Sequence, residues 1–407
     1  MLPYKPHIGL STVNLDDLRK SPNALALKYS QFRVGERLLL TGHSHQAWPD
    51  VALEGQLAAF ADAAEAVDTK WERAFEQADL VRVGFGRLLD DRSADIALDA
   101  NTHALVIRFL SALDLGGKPR LVTTDGEFHT LRRQLARLAE EGVEVVRVPA
   151  DPADTLAERL LAAVDDRTSA VLVSAVLFET ARIVPNLGAL AAGCADRGVE
   201  LLVDAYHALG VVPFSVPALG LSSAWITGGG YKYLQLGEGN CFLRLPAHAQ
   251  GMRPVITGWF AEFEAIADAT RPGQVAYARG GNRFAGSTYD PTSHYRAARV
   301  MQFFQDETLI PDFLREISLH QTTFLAEAFD ALGADENVIA RDRSAPREAF
   351  GGFLALRSVR AAELQRALAE HGVSTDSRGG YLRFGPAPYL SDEQLEAAIA
   401  ALGKILS

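Results

Sequence analysis

Two charged residues stand where charge is costly, and they set the chemistry to look for. Asp204 closes the apolar run LLVD (201–204), and Lys232 follows three glycines in TGGGYKYL (227–234). In open α/β sheets, ligands collect at the carboxyl ends of strands. A carboxylate there is expensive unless it meets a cation, and glycines let a backbone approach a ligand closely. Taken singly, Asp204 could cap the next helix, and Lys232 could be an ordinary solvated loop lysine. Taken together they offer a nucleophilic amine and an acid. Pyridoxal 5'-phosphate needs both: a lysine for its Schiff base, and a carboxylate that keeps its pyridine nitrogen protonated so that the ring accepts electrons.

The elements that must position this pair alternate along the chain. From Val51 to about residue 90 the pattern is helical, with Ala, Leu and Phe recurring. Strands are then predicted over 94–100, 119–125, 143–150, 169–178 and 199–207, each followed by a helical or loop segment. Strands apolar on both faces and separated by helices predict a mainly parallel, covered sheet. Past residue 295, helices over 296–305 and 312–333 precede a strand–helix–strand–helix pattern, which reads as a compact α+β unit. The organisation is an irregular segment 1–50, a large domain 51–295 and a small C-terminal domain 296–407.

Composition excludes several function classes. The chain has 407 residues, 48% hydrophobic and 22% charged, with a net charge of −11. That balance predicts no broad attraction to nucleic acid or anionic lipid. Cys194 and Cys241 are the whole cysteine complement, which excludes a disulfide framework and a multi-cysteine zinc site, and no metal is expected. The first twenty residues lack a signal-type apolar core, and no apolar run reaches membrane-spanning length. A cytoplasmic protein with a small-molecule partner is expected.

Four motifs carry a resemblance. DAYH (204–207), YKYL (231–234), GWF (258–260) and RFG (383–385) resemble motifs of the class V branch of fold-type-I pyridoxal-phosphate enzymes, kynureninase most of all, over residues 35–400. The resemblance implies the aspartate-aminotransferase fold: a large α/β domain with a mainly parallel sheet, and a small α+β domain. It implies a homodimer with shared active sites. It also assigns roles. Lys232, Asp204 and His207 would be catalytic. Asn101 and Thr102, at a helix start, would hold the cofactor phosphate, with Tyr231 and Trp259 adding a hydroxyl and an indole N–H. Phe128 would stack on the pyridine ring. Ser287 or Thr288, in GSTYDPTS (286–293), would reach the partner's phosphate. Arg383 would grip the substrate carboxylate, since a guanidinium fork suits one.

The chain also departs from that family. TGHSHQAW (41–48) places His43, Ser44, His45 and Gln46 where the family carries a different substrate-facing stretch, so His43 and Ser44 are expected at the substrate. His43 and His45 alternate as on an extended segment and read as a pocket or surface pair in preference to a metal pair. Leu131 stands where the family has an aspartate. The expected activity is a kynureninase-like hydrolysis of a Cβ–Cγ bond, giving an aryl acid and alanine. The alternative is a class V aminotransferase, lyase or epimerase acting on another amino acid. Desulfuration needs a mobile nucleophilic cysteine, and neither Cys194 nor Cys241 sits in a segment that reads as mobile.

Overall fold

The computed structural model describes residues 13–92, 95–265 and 273–407. The N-terminal stretch read above for a signal segment is described only from Val13, and Ala94 lies outside the described residues. The central sheet has seven strands: β1 (Asp95–Asp99), β2 (Arg120–Thr124), β3 (Glu144–Val148), β4 (Thr168–Ser174), β5 (Glu200–Asp204), β6 (Trp225–Gly229) and β7 (Cys241–Leu245). Their spatial order is β1-β7-β6-β5-β4-β2-β3. The pairs from β6 through β3 are parallel, and only β7 runs against both its neighbours.

The apolar runs explain the layering. All of β4 is buried. Val171 and Val173 join one core cluster, while Ala170 and Leu172 join another on the opposite face. Successive side chains point to opposite faces of a strand, so a run apolar at every position needs cover on both sides. Helices supply it: α2 (Lys70–Leu88), α3 (Thr102–Ser111), α4 (His129–Glu140), α5 (Leu156–Ala162) and α6 (Leu187–Ala195), whereas α1 (Val51–Glu65) packs on other helices.

β6 runs into the three glycines that precede Tyr231 and Lys232. It is a buried central strand whose last two residues are Gly228 and Gly229. A Cβ on Gly229 would stand 2.6 Å from Cys241 Sγ and closer still to the Tyr206 hydroxyl. The glycines therefore serve as packing space within the sheet as well as approach space for a ligand.

Toward the C-terminus, α7 (Thr292–Asp306) packs on α1 and α2. A smaller sheet follows α8 (Pro311–Ala331). Its strands are β8 (Ala340–Arg341), β9 (Leu354–Arg357), β10 (Asp376–Arg378) and β11 (Tyr381–Phe384), in antiparallel order β10-β11-β9-β8. Helix α9 (Ala361–Glu370) lies between β9 and β10 in sequence, and α10 (Asp392–Leu406) ends the chain behind a Ser391–Gln394 capping box. The N-terminal segment is tied to this region. Leu38–Leu39 pairs in parallel with Val373–Ser374, and Thr41 bridges to Gly385. That pairing carries 41–48 to the strand holding Arg383.

Candidate functional site

The carboxyl ends of the parallel strands converge on Lys232. Register places Ser174 beside Asp204, and Asp204 beside Thr227. Lys232 follows β6 by three residues and is only 5% exposed. Its Nζ lies 2.7 Å from His207 Nε2, 4.5 Å from the centroid of the Tyr206 ring and 5.2 Å from that of Phe128. Burial pushes the ammonium down to about 7, Asp204 opposes the shift and Arg383 adds to it. An amine that gives up its proton near neutral pH is poised as a nucleophile and a base. Burial, and then the charges of Lys232, His43 and Arg383, hold His207 well below the usual histidine range. His207 therefore meets Lys232 as a neutral imidazole.

Asp204 lines the same cavity and accepts the Tyr206 backbone N–H at 2.8 Å. Burial raises its carboxyl, while that hydrogen bond and Lys232 pull the other way. The cavity measures about 320 Å³ and is also lined by Asn101, Thr102, Phe128, Tyr231 and His207. Asn101 is the N-cap of α3, its side chain accepting the Ala104 N–H at 2.9 Å, so its carbonyl oxygen is already engaged. The N-terminus of α3 faces this cavity through Asn101, Thr102 and His103, a setting that favours an anion. Tyr231 lies 5.1 Å from Tyr206 and 5.6 Å from His45, ring to ring, and burial pushes its hydroxyl up to about 12.

Arg383 is buried, and part of its fork is occupied. Nη2 donates to Asp376 at 2.5 Å and Nη1 donates to the Phe178 carbonyl, while Nε has no protein partner. His43 is fully buried, its ring 4.7 Å from Phe353 and its Nε2 3.6 Å from Asp376. Burial pushes its imidazole down to about 4 despite Asp376. Ser44 donates its hydroxyl to the Thr41 carbonyl at 3.2 Å within its own turn. His43 and His45 do not converge: one packs on Phe353, the other on Tyr231.

Trp259 does not line the Lys232 cavity of its own chain. It is 47% exposed, and its indole N–H donates to Thr288 at 3.3 Å. Ser287 and Thr288 line a second, larger cavity of about 930 Å³ that shares Ala100, Glu238 and Gly239 with the first. Gly258 packs closely on the Gly286 backbone: a Cβ there would clash with the Gly286 carbonyl oxygen.

Several residues escaped the sequence reading: Tyr206 beneath the lysine, Tyr233, Asp376 and Glu127. Tyr206 lies inside DAYH and could have been found there. Asp376 could not, since only the β10–β11 register places it opposite Arg383.

The residues present fit pyridoxal phosphate. An amine, an acid and an aromatic face line one cavity at the start of a helix. Within the cavity, the buried Nδ1 of His207 lacks a protein partner. Native interiors rarely leave such groups unmatched, so the pattern is that of a ligand site.

No protein-family model matches the chain. It is 25% identical to an uncharacterized aminotransferase, YcbU of Bacillus subtilis, over 334 residues, covering 81% of this chain and 84% of that protein. It is 26% identical over 333 residues to a kynureninase of Bacillus thuringiensis subsp. konkukian, covering 79% and 75%. Among solved structures, a C-DES mutant with glycine covalently linked to its pyridoxal-phosphate cofactor superposes with a TM-score of 0.81 at 16% identity, over 93% of this chain and 98% of that one. A cysteine desulfurase from Thermococcus onnurineus gives 0.73 at 14%, over 91% and 95%. The chain thus has the aspartate-aminotransferase architecture of pyridoxal-phosphate fold type I.

Proposed function

We propose that the protein binds pyridoxal phosphate through Lys232 and acts on an α-amino acid by a class V transaminase, lyase or epimerase reaction. The observation that carries this reading is the buried Lys232 amine, 2.7 Å from a neutral His207 at the strand end bearing Asp204. When bound, pyridoxal phosphate supplies an aldehyde for the amine and a ring that draws electrons from the substrate α-carbon. Lys232, with its proton affinity lowered to about 7, is suited to take the α-proton and return it. His207 orients that amine by hydrogen bonding. Asp204 holds a proton at the ring nitrogen through a charge-assisted hydrogen bond. The unpartnered Nε of Arg383 offers a donor to the substrate carboxylate. Phe128 covers one face and helps exclude water.

Thiol-dependent desulfuration is disfavoured by the same structure. Cys194 and Cys241 are buried, and burial pushes their thiols up to about 11 and about 12, so neither provides a thiolate. Kynurenine hydrolysis is the second reading, favoured by the DAYH and GWF motifs and the likeness to kynureninases. Against it stands the altered segment 41–48, whose His43 packs beside Arg383's partner Asp376.

A second copy of the chain is the proposed partner. Leu53, Leu57 and Phe60 lie exposed at helical spacing on one face of α1, and Trp259 and Phe263 are exposed as well. Exposed apolar groups in such number mark an interaction surface. Among the described residues, no helix is long and apolar enough to cross a membrane.

The deciding experiment loads the purified chain with pyridoxal phosphate and follows products. Keto acid formed from an amino donor and a keto-acid acceptor identifies transamination. Pyruvate or a racemised amino acid without an acceptor identifies a lyase or an epimerase. Anthranilate and alanine from L-kynurenine establish the second reading instead. A chain that binds no pyridoxal phosphate refutes the proposal altogether.

A further inference from the structure

Glu127 is a buried carboxylate that the chemistry above leaves unused. It is 2% exposed and sits in the turn between β2 and α4, directly before Phe128. Its Oε1 accepts the Thr124 hydroxyl at 2.8 Å and the Ser174 backbone N–H at 3.1 Å, and its Oε2 accepts the Ser174 hydroxyl at 2.6 Å. The Ser174 N–H can only donate and the two hydroxyls can turn their protons to the same group, an arrangement suited to an ionised carboxylate, which can only accept. Ser174 stands in register with Asp204 on the adjacent strand, so the cage lies one strand away from that acid. Burial pushes Glu127 up to about 7, the Ser174 and Thr124 donors pull against it, and the charge of Asp204 adds to the push. Ser174 thus ties the Glu127 carboxylate to the strand beside Asp204.

We propose that Glu127 is a positioning residue for bound pyridoxal phosphate. It pins the Phe128 turn to the strand beside Asp204, and it sets a second negative charge behind that acid so that the ring-nitrogen proton is held more tightly. This inference rests on the cofactor reading above. A purely structural tie would explain the hydrogen bonds, but it would not require a charge.

The test uses the full chain loaded with pyridoxal phosphate and two readouts that need no turnover: the Kd for the cofactor, and the pH midpoint of its visible absorbance. Glu127→Gln keeps the shape, removes the charge and sets an amide donor among donors. Its midpoint is expected to fall by on the order of one pH unit, and its Kd to rise about tenfold. Should this variant fail to fold, Thr124 decides. Thr124→Val removes one donor and leaves the carboxylate, so a smaller fall in the same direction is expected. Thr124→Ser keeps the hydroxyl and loses the methyl, and should hold the wild-type midpoint. A Glu127→Gln protein with wild-type midpoint and Kd overturns the proposal. So does a Thr124→Ser midpoint displaced as far as that of Thr124→Val, because packing is then the cause. A wild-type chain that takes up no pyridoxal phosphate defeats both this inference and the cofactor reading; a loaded wild type beside an unaltered Glu127→Gln defeats this one alone.

Discussion

The Lys232 cavity and the Trp259–Thr288 surface adjoin, yet they are built in opposite ways. In the first, one chain supplies a buried amine, an acid, an aromatic face and a helix start, all gathered by strand ends. In the second, Ser287 and Thr288 are exposed, and Trp259 turns its indole to Thr288 in a broad cavity. Motifs of similar legibility thus have different meanings. YKYL describes a site that folding completes by burial. GWF and GSTYD describe a surface whose exposed aromatic area calls for another molecule, and a second copy of the chain is the proposed one. The contrast is energetic. Desolvation creates the reactive lysine in the first region, whereas apolar area still exposed to water is the available driving force in the second.

The comparison breaks most sharply at Lys232. Lys232→Ala is expected to abolish covalent retention of pyridoxal phosphate, shown by mass spectrometry after borohydride treatment. A variant that still carries the reduced label would move the site elsewhere. Asp204→Asn keeps the shape and removes the charge. It should retain the cofactor but slow α-proton loss by about 3–4 kcal/mol, on the order of a hundred- to a thousandfold. Single-turnover kinetics with α-deuterated substrate reads that step, and a wild-type rate would reduce Asp204 to a structural acid.

Arg383→Ala should weaken amino-acid binding by roughly 2–3 kcal/mol, because a desolvated charge pair is broken. Asp376 also loses its 2.5 Å partner, so thermal stability should fall with it. Unchanged KM and kcat would show that the carboxylate is held elsewhere. The smallest effect belongs to the outer surface. Trp259→Ala should leave cofactor uptake intact in concentrated protein and weaken self-association by about 2 kcal/mol, a modest interface hot spot. A dilution series by light scattering measures it, and an unchanged dimer midpoint would remove Trp259 from the interface.

The sequence by itself determined the elements and the two charged groups at their ends. Apolar runs at every position required a covered parallel sheet, and each of the five strands predicted over 94–207 contains an observed one to within a residue. The position of Asp204 after LLVD, and of Lys232 after three glycines, was legible because burial of charge is costly wherever it occurs. β6 was not legible, since glycines weaken a strand pattern and only contact with Tyr206 and Cys241 explains them. Nor was the meeting of His207 with Lys232, of Glu127 with Ser174, or of Arg383 with Asp376. Local propensity acts over a few residues, whereas these contacts depend on register between distant strands. Register is set when the whole core packs, because a slip of one residue exchanges the buried and exposed faces of a strand.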